Sequence, residues 1–267
     1  MKIKADLHNH LSTLKEDLKY MAPKAMEIAS KRLGKNGIIG IINAQDLGEG
    51  RYETFIKGLK GEDLENAFYH SETNLYVIKG QEVFTKGGHI LVLGLDKGVK
   101  LKDRRTLEDS FKEARDNRGI IILDHPLFMD GVITKNPEKI KNYLGAELID
   151  GIEVYNGQSW LPIPGYFNSN SKAQKFYNQI KEKYNLGGIY SSDGHSIYEI
   201  GSSYTLLEQP DFSTPDKLRE SLRKSIKNHR DFFQDKKSMS IFSTLNHAIK
   251  ILILRLLSKA GLFREIN

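Results

Sequence analysis

An α/β fold, with a mainly parallel sheet closed into a barrel, is what this sequence predicts. Three observations predict it. Short apolar runs alternate with longer helix-period segments along most of the chain. The apolar runs lack the polar alternation of a one-sided sheet, as expected of strands buried on both faces. The 267 residues contain no long Pro, Gly or Ser tract, which fits one large domain, or one domain with a small appendage. The number of strand–helix units suggests a closed barrel; an open doubly wound sheet is the alternative.

In chain order, Ile3 to Leu7 reads as a strand, Leu18 to Leu33 as a helix and Ile38 to Asn43 as a second buried strand. Further helical sequence is followed by strands at Leu75 to Ile78 and Ile90 to Leu95. The second half repeats the pattern: a helix from Leu107 to Asn117, a strand from Ile120 to Leu123, a helix from Lys135 to Leu144 and a strand from Ile149 to Tyr155. It continues with a helix from Ser171 to Tyr184 and a strand from Gly188 to Ser191. Residues 1–209 are expected to form the barrel, and residues 210–267 a C-terminal helical extension packed on or beside it. Near the end of the barrel region Thr205 to Leu207 reads as one more short strand. Thr214 caps a helix reaching Asn228, with Pro215 at its first position. A basic connection, Asn228 to Ser238, leads to an apolar run from Ile241 to Leu257. Lys250 and Arg255 leave that run too short and too charged for a stable membrane span. It is expected to be an amphipathic helix lying on the barrel, on a partner or at a membrane interface.

Composition sets only the class. Hydrophobic residues at 39% and charged residues at 28% exclude a disordered chain. Forty basic against thirty-four acidic side chains, net +6, would help an anionic substrate approach. The excess is too mild and too dispersed to argue for nucleic-acid binding by itself. With no cysteine, disulfides and thiolate ligands are excluded, so any metal must be held by imidazole and carboxylate. The N-terminus carries no secretory signal, and a cytoplasmic location is expected.

The histidines carry the strongest signal. Of eight, five fall at the ends of predicted strands: His8 and His10, His89, His125 and His195. In a parallel barrel the C-terminal strand ends share one rim, where residues distant in sequence converge. His89 precedes its strand and needs a bend or loop to reach that rim. Carboxylates accompany them: Glu82 after the strand near Ile78, Glu153 within a strand, and Asp193 two residues before His195. His-x-His and Asp-x-His spacings put alternate side chains on one face, within reach of one ion. Any one of these groups could be a local hydrogen-bonding histidine, but gathering many buried ionisable groups without a cation is electrostatically costly.

The segments Asp6-Leu7-His8-Asn9-His10, Gly80-Gln81-Glu82-Val83, Gly88-His89-Ile90-Leu91, Asp124-His125-Pro126, Gly151-Ile152-Glu153-Val154-Tyr155-Asn156 and Ser192-Asp193-Gly194-His195, in this order and at about this spacing, resemble the motifs of the polymerase and histidinol phosphatase (PHP) family. The resemblance runs from about Ala5 to Ser196, and the region after it is similar to the short C-terminal extension of some members. It implies a distorted seven-stranded (β/α)7 barrel, TIM-barrel-like, holding two or three divalent ions: manganese, zinc or iron. It also implies that His8, His10, Glu82 and Asp193 hold a first ion, that Glu82 bridges to a second held by His125 and His89, and that His195 serves a third. Where the family usually shows Thr-Asp-His after the second strand, this chain reads Asn43-Ala44-Gln45-Asp46. Asp46 is therefore either a carboxylate ligand of the third ion, with Glu16 or Asp17 nearby, or a loop-turning residue beside Gly48 and Gly50.

The activity so implied is metal-dependent hydrolysis of a phosphate mono- or diester: a nucleotide, a sugar phosphate or a short oligonucleotide. Glu82, Asp193 and His195 are the expected catalytic residues. Arg51, Lys86, Glu153 and Asn156 are the expected substrate contacts. An amidohydrolase-type metal hydrolase and a non-catalytic, metal-binding regulatory protein are the alternatives. The oligomeric state is left open.

Overall fold

A computed structural model describes residues 1–11, 15–44, 50–159 and 168–229. The first half runs β1 (Lys2–Asp6), α1 (Leu18–Leu33), β2 (Ile38–Asn43), α2 (Arg51–Ile56), a hairpin of β3 (Gly61–Asp63) and β4 (Ala67–His70), then β5 (Leu75–Thr85) and β6 (Gly88–Leu93). Next come α3 (Leu107–Asp116), β7 (Ile120–Leu123), two short helices α4 (Val132–Lys135) and α5 (Ile140–Gly145), and β8 (Gly151–Asn156). The described chain ends with α6 (Ser169–Tyr184), β9 (Gly187–Ser191), β10 (Thr205–Glu208) and α7 (Pro215–Asn228). The expected helix from Ile241 to Leu257 lies outside the described residues.

The architecture is a mixed α/β fold around one nearly closed, barrel-shaped sheet. Its strands follow the order β10-β1-β2-β5-β6-β7-β8-β9, with the β3–β4 hairpin attached to β5. That path holds eight strands, against the seven expected. It is also not wholly parallel: β1, β2, β5, β7, β8 and β9 run one way, while β6 and β10 are reversed. The reversal of β6 follows from the tight turn after β5, because a hairpin leaves no room for the crossover that a parallel neighbour requires. It also resolves the position of His89, since the start of a reversed strand lies at the same rim as the ends of its neighbours.

Side chains from alternate strand positions fill the barrel: Ile38 and Ile42, Ile78, Leu91 and Leu93, Ile120 and Ile122, and Ile189. Their branched shapes suit an interior packed in layers. Helix α7 extends this core, burying Leu218, Leu222 and Ile226 in the same cluster, each worth about 1.5–3 kcal/mol by removal from water. Its approach needs a glycine, because a Cβ on Gly187, at the start of β9, would collide with the Ile226 carbonyl. The α7 N-terminus is capped as its sequence suggests, with the Thr214 hydroxyl accepting the Lys217 amide at 3.2 Å. Helices α1 and α2 cover the outer face of β2 and β5, and α3, α5 and α6 cover the other flank. Among the described residues, no helix is long and apolar enough to cross a membrane.

Two further elements differ from the sequence expectation. The single helix expected from Lys135 to Leu144 is broken into α4 and α5, because Pro137 disfavours a helical conformation at Asn136. Strand β5 continues seven residues beyond Ile78, to Thr85. Its outward polar residues are buried yet satisfied: Lys79 donates to the Asp96 carbonyl at 3.0 Å and pairs with Glu53 at 2.7 Å, and Gln81 exchanges two hydrogen bonds with the Leu101 backbone.

Candidate metal centre

Six elements deliver ionisable side chains to one mouth of the barrel. His8 and His10 follow β1, Glu82 lies in β5 and His89 near the start of β6. Asp124 and His125 follow β7, Glu153 lies in β8, and Asp193 and His195 follow β9. They form four overlapping groups, each with ligand atoms within 4.8 Å of one another: Glu82, His89, Asp124 and His125; His8, His10 and Glu82; His10, Asp193 and His195; His8, Asp124 and Glu153.

Glu82 stands between two sets of imidazoles. One oxygen is 3.1 Å from His10 Nε2; the other is 2.7 Å from His89 Nδ1 and 3.5 Å from His125 Nε2. The Nε2 atoms of His8 and His10 face each other at 2.9 Å, and Asp193 Oδ1 lies 3.6 and 3.5 Å from them. A carboxylate cannot donate when ionised, so His8 Nδ1 at 2.9 Å from Glu153 Oε1 carries the proton, leaving Nε2 as the donor atom toward the mouth. By the same reasoning His195 Nδ1 donates to the Asp193 carbonyl at 2.8 Å, so ligation or proton exchange falls to Nε2.

The electrostatics are unusual for a buried site. Glu82, Asp124, Glu153 and Asp193 are all nearly inaccessible, and among the described residues their ion-pair partners are histidines alone. Burial works against charge on His8, but Asp193, Glu153 and Glu82 hold its pKa up at about 10. Burial likewise opposes ionisation of Glu82, yet His89, His10 and His125 hold it well below the usual carboxylate range. Asp193 is also lowered, against its burial, by His8, His195, His10 and His125. Asp124 goes the other way: burial first, then the charges of Glu153 and Glu82, push it well above its ordinary value.

Asp124 supplies the test of fit. Both of its oxygens are buried without a hydrogen-bond partner, as are Asp193 Oδ1 and the Nδ1 atoms of His10 and His125. Orphaned acceptors of this kind are expensive in a protein interior unless a cation meets them. Imidazole nitrogen and carboxylate oxygen are the donor set of manganese, zinc and iron, so the residues present fit divalent ions. The backbone is also strained here, with φ of 23° at His125 and 48° at Asp193; non-glycine residues adopt such values mostly where surrounding structure enforces them.

The other residues singled out from sequence are placed differently. Arg51 is buried, and its guanidinium donates to the carbonyls of His10 (3.1 Å) and Leu11 (2.5 Å) rather than projecting into the mouth. Glu153 accepts from the His125 amide and from Asn156 Nδ2, both at 2.9 Å, and Asn156 Nδ2 also reaches Asp193 Oδ2 at 3.1 Å. Both residues thus tie ligand-bearing strand ends together. Lys86 is exposed in the β5–β6 turn, and Glu16 and Asp17 are exposed ahead of α1; Asp46 lies outside the described residues. Sequence reading missed Asp124, although it precedes His125 at the strand end. It also missed Gln158, whose side chain donates to the Asp193 carbonyl at 3.2 Å and stands in a loop with no periodic signal. A cavity of about 410 Å³, lined by Lys15, Asn43, Lys79, Gln81 and Lys100 among others, lies on the outer side of β5, because its residues alternate with Glu82.

Fold and site together define an α/β barrel protein with clustered candidate metal ligands. The PHP-associated family model matches residues 168–225, a stretch that runs from α6 to α7. An uncharacterized protein of Methanocaldococcus jannaschii is 24% identical over 146 residues, covering 54% of this chain and 56% of the relative, so the match spans about half of each. The crystal structure of PsfC from Pseudomonas syringae PB-5123 superposes with a TM-score of 0.60 at 17% identity, covering 96% of this chain and 99% of PsfC. That likeness shows the fold. The family match thus identifies a PHP-associated region in the C-terminal part of the chain.

Proposed function

We propose that this chain is a metal-dependent phosphoesterase of the reducing cytoplasm, hydrolysing a phosphate mono- or diester of a nucleotide, sugar or short oligonucleotide. The observation that carries the reading is the meeting of four buried carboxylates and five imidazoles at one mouth, with no lysine or arginine paired to the carboxylates among the described residues. His8, His10, Glu82, His89, Asp124, His125, Asp193 and His195 would hold two or three divalent ions. Such ions supply Lewis-acid neutralisation of the phosphate oxygens and a water acidified enough to attack near neutral pH.

The chain's own residues do the rest. Glu82 presents one oxygen to each imidazole set and fixes their separation. Glu153 orients His8 through Nδ1 and holds the His125 amide, so two strand ends move as one unit. His195, with Nδ1 committed to a carbonyl, would offer Nε2 to an ion of the cluster. Arg51 braces the His10 loop from behind the ligands, and Lys86, in the turn beside His89, is the cation placed to meet an incoming phosphate.

The experiment is direct: purified chain reconstituted with manganese, zinc or iron is assayed against aryl phosphate mono- and diesters. Turnover is expected with at least one metal. Full metal loading without turnover on any ester would replace this reading with the regulatory, metal-binding one. Cleavage of amide or carboxylic ester substrates instead would favour the amidohydrolase reading.

A further inference from the structure

The barrel has one seam. Its path ends at β9 on one side and β10 on the other, and no ladder of backbone hydrogen bonds joins these two strands among the described residues. Side chains close the gap instead. Midway along, the buried Thr205 hydroxyl accepts the Tyr190 amide at 2.8 Å and donates to the Tyr190 carbonyl at 3.0 Å, standing in for a rung of the missing ladder. At the mouth, the fully buried Asp6 carboxylate accepts the Ser192 amide at 3.0 Å, the Ser192 hydroxyl at 2.5 Å and the Gly201 amide at 2.7 Å. Beyond it the two chain segments run side by side: His10 and Leu11 donate to the Gly194 carbonyl at 2.8 and 2.9 Å, and Gly194 donates to the His8 carbonyl at 3.3 Å. A side chain on Gly194 would meet Asn9 Oδ1 at 2.6 Å, so the approach leaves no slack.

Two side chains of this clasp stand next to candidate ligands. Asp6 precedes His8 by two positions, and Ser192 immediately precedes Asp193. The remaining group, Glu82, His89, Asp124 and His125, hangs on β5, β6 and β7, which are joined by continuous ladders. That group needs no clasp. From this asymmetry we infer that Asp6, seconded by Thr205, is a positioning residue that sets the Asp193–His195 arm against the His8–His10 arm across the open seam. The ion held by His10, Asp193 and His195 therefore depends on the clasp, whereas the ion held by the laddered group does not. Asp6 itself acts only as an acceptor for three donors, a role an amide cannot fill without turning one donor against another.

This inference rests on the reading of the cluster as a metal site, and the test separates the two. Manganese titrations of the full chain, read by bound metal per chain and by thermal melting, compare wild type with Asp6→Asn, Thr205→Val and Thr205→Ser. For Asp6→Asn one ion should lose about 10- to 100-fold in affinity, while at least one other changes by less than about threefold. Thr205→Val should show the same selectivity with a smaller loss, and Thr205→Ser, which keeps the hydroxyl, should restore wild-type binding. If wild type binds fewer than two ions, the metal reading itself fails. If wild type is loaded but all ions weaken equally in the variants, or none does, the clasp is merely structural and the inference is overturned. Should Asp6→Asn fail to fold, the Thr205→Val and Thr205→Ser pair decides by the same criterion: indistinguishable variants contradict it.

Discussion

Two fully buried aspartates, one at each end of the barrel, show how differently the same side chain can be used. Asp150, just ahead of β8, is faced by Arg115 at 2.9 Å, Arg223 at 3.4 Å and Lys227 at 3.6 Å, and accepts the Ile121 amide at 3.0 Å. Asp124, just after β7, has no hydrogen-bond partner on either oxygen, and its ion-pair contacts are His125 and His8. Permanent cations make the first end a structural joint that fastens α3 and α7 to the sheet. Imidazoles, whose charge is conditional, make the second end a place where positive charge has to be supplied. The barrel thus separates a stabilising pole from the one proposed to be reactive.

Substitutions that treat both poles alike should break them apart. The largest effect is expected for Glu82→Gln, which removes the carboxylate shared by both imidazole sets. Turnover should fall by at least about a thousandfold, roughly 4 kcal/mol of barrier, with at least one ion per chain lost in elemental analysis. Retention of full metal content would show that Glu82 does not bridge. Asp150→Asn should leave the metal count of the folded chain unchanged yet cost about 1–3 kcal/mol in urea unfolding, since it takes the buried charge away from three partly exposed cations. A change below 1 kcal/mol, about the value of an exposed pair, would mean that the lower pole is not a joint.

The mirror substitution, Asp124→Asn, should have the opposite sign on stability. Because burial and the charges of Glu153 and Glu82 raise its carboxyl, the folded state binds that proton more tightly than the unfolded one. Its contribution is therefore greatest below the unfolded value and is lost as pH rises. In the presence of chelator, the Asn variant should be more stable than wild type by about 1 kcal/mol at pH 7, and the difference should vanish toward pH 3. An unfolding series that shows the variant less stable at pH 7 would contradict the account of this pole. Smallest of all, Thr214→Ala removes the cap of α7, the helix that carries Arg223 and Lys227, and should cost about 1 kcal/mol. Metal content should not move.

Most of the reactive pole was legible in the sequence, because strand ends were marked by apolar runs and the histidines sit just beyond them. His8, His10, His125 and His195 needed only the alternation of side chains and the shared rim. The reversal of β6 was less legible: the expected strand stopped at Ile78, since Lys79 and Gln81 interrupt the apolar run, and only their partners Glu53, Asp96 and Leu101 show why a strand tolerates them. Arg51 illustrates the opposite failure. It was expected to contact the substrate, but a guanidinium also satisfies converging carbonyls, and the His10–Leu11 turn supplies them. Asp124 escaped notice because its neighbour His125 already accounted for the motif, and the lack of partners that marks it exists only in three dimensions. The β3–β4 hairpin has an exposed first strand without alternation, so no sequence period announced it.

Elemental analysis of the purified full-length chain after dialysis against metal-free buffer, with a chelator-treated sample as blank, addresses the reactive pole most directly. Two or more manganese, zinc or iron ions per chain are expected, falling on substitution of Glu82 but not of Asp150. Fewer than one ion per chain under every metal supplied would mean that these buried acids are neutralised by protons alone, and the account of the mouth as a metal centre would be wrong.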